Sequence, residues 1–378
     1  MKAKSIKGKT TEEIKVALET QIASGYRPTL ALVFLSVTEE TEGICSLLNE
    51  KGIAIFGANT AAEFTEEGVE TTGIVVLLLD INPDYFKIVV KDYGNGLVYE
   101  SACLVGEAGA KAFANPAFII SSANYKIPQN QIVAGLVEKA GKDVTIVGGC
   151  AGEAVNFEGK VFTNNESSAN GLLSLILDQD KIILKAMAAS GWKPIGTEKT
   201  ITQSKGHWIY TIDDQPAFDV VKKFLGKDII DGNNTEGIVK LNLTYPLQLH
   251  RNAGSPMILP ALFANTADQS VMIAGPVVEG SVFRFSMPPD FEVIDMVIQG
   301  SKEIKEKELP DADALIIFSC VGRLACLGPM ASTEVEGLAG TWNTPMSGFF
   351  SLGEFGRVTD GNPEFHGTTV SWVALKEK

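Results

Sequence analysis

Residues 351–356 read SLGEFG, and a carboxylate placed directly behind a glycine, just after the apolar run GFF (348–350), needs a cause. The pattern recurs. Residues 57–64 read GANTAAEF and residues 148–153 read GGCAGE, so Glu63, Glu153 and Glu354 each follow a small residue a few positions after Gly57, Gly148 or Gly348. Upstream of the first lies ALVFLSV (31–37), a continuous apolar run of buried-strand length, then EETEGICSLLNEKG, with Ile44, Leu47 and Leu48 on one helical face before Gly52. IAIFG precedes Glu63, and GIVVLLLD (73–80) follows it as another strand.

The same order returns from residue 117. AFIISSA reads as a strand, PQNQIVAGLVEKAG as a helix with Ile132, Val133, Leu136 and Val137 on one side, and DVTIVGG and GLLSLILD as strands. A looser third copy runs through ALIIFSC (314–320), a polar and Gly-rich connection, MSGFFSLGE, and TTVSWVAL. Each glutamate is therefore expected to end the second strand of a strand, helix, strand, strand unit, in repeats near 31–80, 117–178 and 314–375. A spacing of about 90 residues between the first two copies is too long for a solenoid and fits duplicated subdomains in layered sheets. Strands TITQSKGHWIYTID, GIVKLNLTYPLQL, SVMIAGPV and SVFRFSM come before the third copy, with helices PAFDVVKKFLG, started by Pro216, and DFEVIDMVIQGSKEIKEKEL, where Phe291, Ile294, Val297 and Ile298 share a face.

The fold expected is α+β: mixed, largely antiparallel sheets flanked by helices, built from these repeated units in two tightly packed domains. At 378 residues the chain exceeds what one hydrophobic core usually organises. The turn cluster IDDQPA (212–217) places the division between 1–213 and 214–378.

With 45% apolar and 21% charged residues the composition is that of a folded protein, and a net charge of −14 without any Lys/Arg run argues against nucleic acid and anionic membranes as partners. The basic, polar start MKAKSIKGKTTEEIK lacks the apolar stretch of a secretory signal, and no apolar run reaches the length of a membrane span, so a cytoplasmic location without membrane insertion is expected. Five cysteines at no metal-binding spacing and three histidines predict reduced thiols and no metal site.

Several spaced strings resemble one family. GGCAGEAVNFEGKVFTN, GLLSLILD, ASGWKPIGTEKTIT and IDDQPAFDVV are similar to the N-terminal FIST domain. ALIIFSCVGRLACLG, EVEGL, PMSGFFSLGEFG and FHGTTVSWVAL are similar to the C-terminal one. The resemblance covers nearly the whole chain from about residue 28. It implies a bacterial or archaeal intracellular signal-transduction sensor that binds a small ligand such as an amino acid. Family members are commonly fused to chemoreceptor, histidine-kinase or cyclic-nucleotide modules, and some bind haem and respond to nitric oxide. With both FIST halves filling the chain, the expectation is a stand-alone sensor that signals to a separate partner such as a histidine kinase or chemoreceptor.

The candidate ligand-binding residues are Arg323, Glu354, Glu153, His366, Cys320, Glu63 and Trp192. Arg323 follows the strand ending at Cys320, where a guanidinium can hold a carboxylate by two parallel bonds; alternatively it pairs with Glu334, Glu336 or Glu354. The three glutamates either receive a ligand ammonium, if their loops converge, or cap neighbouring turns. His366 offers an imidazole beside the last strand, with Phe349, Phe350 and Leu352 available to an apolar side chain. Trp192 is a packing anchor between halves or a lid. No cofactor is expected; haem on His250 is the alternative, with His207 read as structural. No G-x-S-x-G, H-E-x-x-H, Walker-type or dinucleotide motif is present, so the enzyme alternative rests on Cys320 as a nucleophile activated by Arg323, with His366 as base.

Overall fold

A computed structural model describes residues 1–36, 41–70, 72–153, 157–225, 245–251, 256–287, 290 and 292–378. The part of the expected strand at 237–244, and Phe291, lie outside these residues. The fold is two-domain α+β.

Three units of one plan make up the larger domain. The first runs strand Lys2–Gly8, helix Thr11–Ala23, strand Leu30–Ser36, helix Thr41–Glu50, strand Ala54–Thr60, a hairpin of Glu63–Thr65 and Gly68–Glu70, and strand Ile74–Asp80. The second repeats it with Phe86–Asp92, helix Val98–Ala112, Pro116–Ser122, helix Asn130–Ala140, Thr145–Cys150, the hairpin Val161–Phe162 and Ser167–Ser168, and Gly171–Asp178. The third begins at Ile182–Ala189 and resumes with helix Glu292–Lys307, strand Ala314–Cys320, helices Val321–Leu327 and Met330–Trp342, strand Met346–Ser351, the hairpin Glu354–Arg357 and Pro363–His366, and Val370–Glu377. In every unit the four long strands lie in the order first, last, second, third, with only the second and third parallel.

The hairpins do not join their own sheets. The hairpin of the second unit extends the first sheet (Val161 opposite Ala58, Phe162 opposite Gly57), that of the third extends the second (Glu354 opposite Gly149), and that of the first extends the third (Glu63 opposite Phe349). The exchange closes a ring. Gly57 and Gly348 are part of its fit: a Cβ on Gly57 would lie 2.2 Å from the Phe162 ring, and one on Gly348 2.2 Å from the Ile317 carbonyl and 2.3 Å from the Phe64 ring.

Two expectations change. Glu63 and Glu354 begin the hairpin strand rather than ending the strand before it, because the two residues ahead of each carry the chain across to the neighbouring sheet. Residues 321–342, expected as a polar Gly-rich connection, form two helices; Gly322, Gly337 and Gly340 dilute the apolar periodicity, but Ala331, Val335, Leu338 and Trp342 still present one buried face.

The last, second and third strands of each unit are buried on both faces, which is why they read as largely unbroken apolar runs. Inner faces meet in a common core where Phe34 lies 4.8 Å from Phe349 and Phe349 lies 5.3 Å from Phe318. Outer faces carry their own helices, as with Ile14, Leu18, Ile44 and Leu48 on the first sheet and Val105, Ile132 and Leu136 on the second.

The smaller domain is inserted in the third unit. Its strands Pro194–Lys205, Trp208–Ile212, Leu247–Leu249, Met257–Leu259, Ala261–Asn265, Ser270–Ile273 and Val282–Ser286 enclose a separate core with helix Ala217–Leu225, including Ile201, Ile209, Phe218, Leu259 and Phe283. Residues on both sides of position 213 share this core. Arg251 ties the insert to the larger domain through an ion pair with Glu364 and a 3.2 Å bond to the Phe365 carbonyl, and Gly367 N–H donates to the Ile258 carbonyl at 3.1 Å.

Candidate functional site

The carboxyl end of Ala314–Cys320 meets the exchanged hairpin of its own unit in a fully enclosed polar group. Ser351 Oγ donates to Glu354 Oε1 at 2.7 Å, and Thr369 N–H donates to Oε2 at 3.2 Å. The buried Cys320 lies beside this carboxyl. Burial, only partly opposed by these bonds and by the Arg323 charge, raises the Glu354 carboxyl well above its ordinary range, so it holds its proton. The Cys320 thiol is pushed up as well, chiefly by burial. That is the opposite of the activation a nucleophilic thiolate requires.

Arg323 lies in the helix Val321–Leu327 and is fully buried. Its Nε donates to Glu334 Oε2 at 2.9 Å and its Nη2 to Oε1, a bidentate pair with the following helix. Nη1 reaches the Ser190 carbonyl at 2.6 Å and the Thr368 carbonyl at 3.4 Å, and the guanidinium stacks 5.0 Å from the Trp192 ring. Of the partners weighed from sequence, Glu334 is the one Arg323 meets.

Ser190 and Trp192 bring this buried group to a cleft of about 1000 Å³ between the two domains. The larger domain contributes strand end Ala188–Ala189 and helix residues Asp295, Gln299, Lys302 and Glu303; the insert contributes Pro194, Gln248 and Ile258. Gln248 Nε2 donates to the Trp192 carbonyl at 2.9 Å and to Ser286 Oγ at 3.0 Å, fixing that corner. His366 and Thr369 also line it. The His366 ring is buried with Nε2 3.2 Å from the Gly356 carbonyl, and burial, with the Arg251 charge, lowers its pKa to about 3, so it is neutral. Gln248, Gln299 and Lys302 carry no sequence signal of a site, since they come from segments far apart that only the insertion brings together.

The candidate glutamates occupy three settings. Glu354 is inside the group described. Glu63 is buried on the third sheet and accepts a bond from Thr60 Oγ1. Glu153 is half-buried in a loop that leads to the second unit's hairpin, where Val161 takes the register position that Glu63 and Glu354 take in theirs. It lines a separate recess with Asn59, Asn124, Lys126 and Lys160.

A haem on His250 does not fit its surroundings. That ring lies 3.8 Å from Glu198 in a recess of about 320 Å³ shared with Arg251 and Arg284, a charged and small setting for an apolar macrocycle. None of the five cysteines is in a disulfide, and among the described residues no group of His, Cys, Asp or Glu is placed to hold a metal ion. Among the same residues no helix is long and apolar enough to cross a membrane.

Comparison with known families matches residues 29–215 to the FIST N domain and residues 217–357 to the FIST C domain. No curated protein matches the chain. With both halves matched in order over most of its length, the chain belongs to the FIST family of signal-transduction sensor domains.

Proposed function

We propose that this protein senses a small zwitterionic metabolite of the amino-acid class, bound in the cleft between the two domains, and passes the signal to a separate output protein such as a histidine kinase or chemoreceptor. The cleft itself carries the reading. It is of ligand size, it is walled by two bodies, and it offers both charge signs, Lys302 against Asp295 and Glu303, around the apolar face of Trp192. A ligand touching both walls favours one domain arrangement by as much as it binds that arrangement better, which gives the signal a physical form. In this reading Arg323 acts from behind, holding Ser190 and Trp192 in place, and His366 is a neutral wall. Glu153 and Glu63 stand outside the cleft.

A thermal-shift panel of amino acids and related metabolites tests it. A true ligand at 100 times its Kd adds about 2.7 kcal/mol to stability. Thr359, exposed on the cleft, provides the control. Thr359→Trp is expected to fill the cleft and abolish the shift without lowering the melting point of the free protein. A panel without any selective shift, or a shift that survives Thr359→Trp, would remove this site.

A further inference from the structure

Two adjoining recesses lie beside another domain contact, where the loop after Pro116–Ser122 meets the insert. One, of about 770 Å³, has aromatic walls: Tyr125 and Phe157 from the larger domain, Trp208, Tyr210 and Phe263 from the insert. The other, of about 780 Å³, is polar and shares Lys126 and Phe157 with the first. Asn59, near the end of Ala54–Thr60, and Asn124, two residues past Ser122, place it outside the carboxyl ends of the parallel strands, a usual position for ligands in layered α/β sheets.

The larger-domain wall is held in advance. Asn124 has a left-handed φ of 68°, and its carbonyl accepts from Gln129 Nε2 at 3.0 Å. Its side chain accepts from the Lys126 N–H at 3.1 Å and donates to Asn170 at 2.8 Å. Tyr125, whose hydroxyl donates to the Ala274 carbonyl of the insert at 3.3 Å, stacks on Phe157 with centroids 5.7 Å apart and planes 22° apart. Phe157 keeps a φ of 57°, a backbone state that aromatic residues seldom adopt.

Charge selects the other half of the ligand. In a chain of net charge −14, Lys126, Lys160 and Lys205 gather here, and none forms an ion pair with a described residue. Glu153 and Glu158 line the polar recess too, so a single negative charge is favoured there over a dianionic phosphate.

We propose that the two recesses form a second binding site, for a flat aromatic ring bearing a carboxylate. The ring enters between the aromatic walls of the two domains, and the carboxylate meets Lys126 at the border. This site does not depend on the amino-acid cleft.

Calorimetric titration of the full chain with indole-3-acetate, indole and acetate tests the assignment. Indole-3-acetate is expected to bind at least tenfold more tightly than either fragment. Lys126→Ala should weaken it about tenfold, Lys126→Arg should restore most of that loss, and Trp208→Leu should weaken indole-3-acetate and indole alike. Thr359→Trp should leave the titration unchanged, separating this site from the cleft. Three results would overturn the proposal: no binding at millimolar indole-3-acetate, equal binding by folded Lys126→Ala, or a haem absorption band lost in His207→Ala, which would give the recess to a macrocycle.

Discussion

Glu354 and Glu153 stand at the same step of two copies of one unit, three residues past Ser351 and Cys150, yet one is sealed in the interior and the other is half exposed. The difference comes from the length of the connection that leads to the hairpin. In the third unit the hairpin strand starts at Glu354 itself, so the carboxyl is carried into the junction between sheets; in the second the strand starts at Val161, and Glu153 is left in the loop. The repeated motif is the same while its surroundings differ. The interior copy is enclosed, and the loop copy faces a recess.

The strongest break in this comparison is Arg323→Ala. Glu334 would be left as an uncompensated buried carboxylate, and the loss expected in urea unfolding is about 3–5 kcal/mol. Replacing both partners, as Arg323→Met with Glu334→Leu, should recover most of it, because two apolar groups leave no charge stranded. Gly348→Ala comes next, at about 1–3 kcal/mol, since the added methyl meets backbone as well as the Phe64 ring.

Two pH effects then separate the buried groups. The folded Glu354 carboxyl titrates well above its unfolded value, so its contribution is complete in acid and is lost as pH rises through the folded pKa. Glu354→Gln should therefore remove a decline in stability seen in the wild type from about pH 5 upward, with a slope of at most about 1.4 kcal/mol per pH unit. His366 has the reverse sign. Its pKa falls from 6.5 to about 3 on folding, so its neutral form supports the fold above pH 6.5 and that support is lost as pH falls toward 3. His366→Gln should flatten this acid limb. The smallest effect expected is that of Glu153→Ala, within about 0.5 kcal/mol in the same unfolding measurement.

Much of the fold was legible because two-sided burial leaves a local trace. ALVFLSV, AFIISSA and ALIIFSC announce strands without any tertiary knowledge, and Ile44, Leu47 and Leu48 announce the helix that covers one of them. Helices 321–342 were hidden by their glycines. The hairpin exchange had no local trace at all, because which sheet a three-residue strand joins is settled by partners such as Met346–Ser351, far along the chain. The same limit governed the sites. Arg323 was visible as a cation just past a strand end, but that Glu334 takes it depends on the turn between two helices. The lining of the cleft and of the aromatic recess needed the insert to be placed against the larger domain.

The ring of exchanged hairpins also sets an order in time. The hairpin Glu63–Glu70 pairs with Met346–Ser351, roughly 280 residues later. At synthesis rates of about 5–20 residues per second, that hairpin waits on the order of 15–55 s after it is made before its partner exists. Until then its backbone edge and Phe64 lack the strand that covers them in the fold, so the ring stays open at the first unit until the last strands are made.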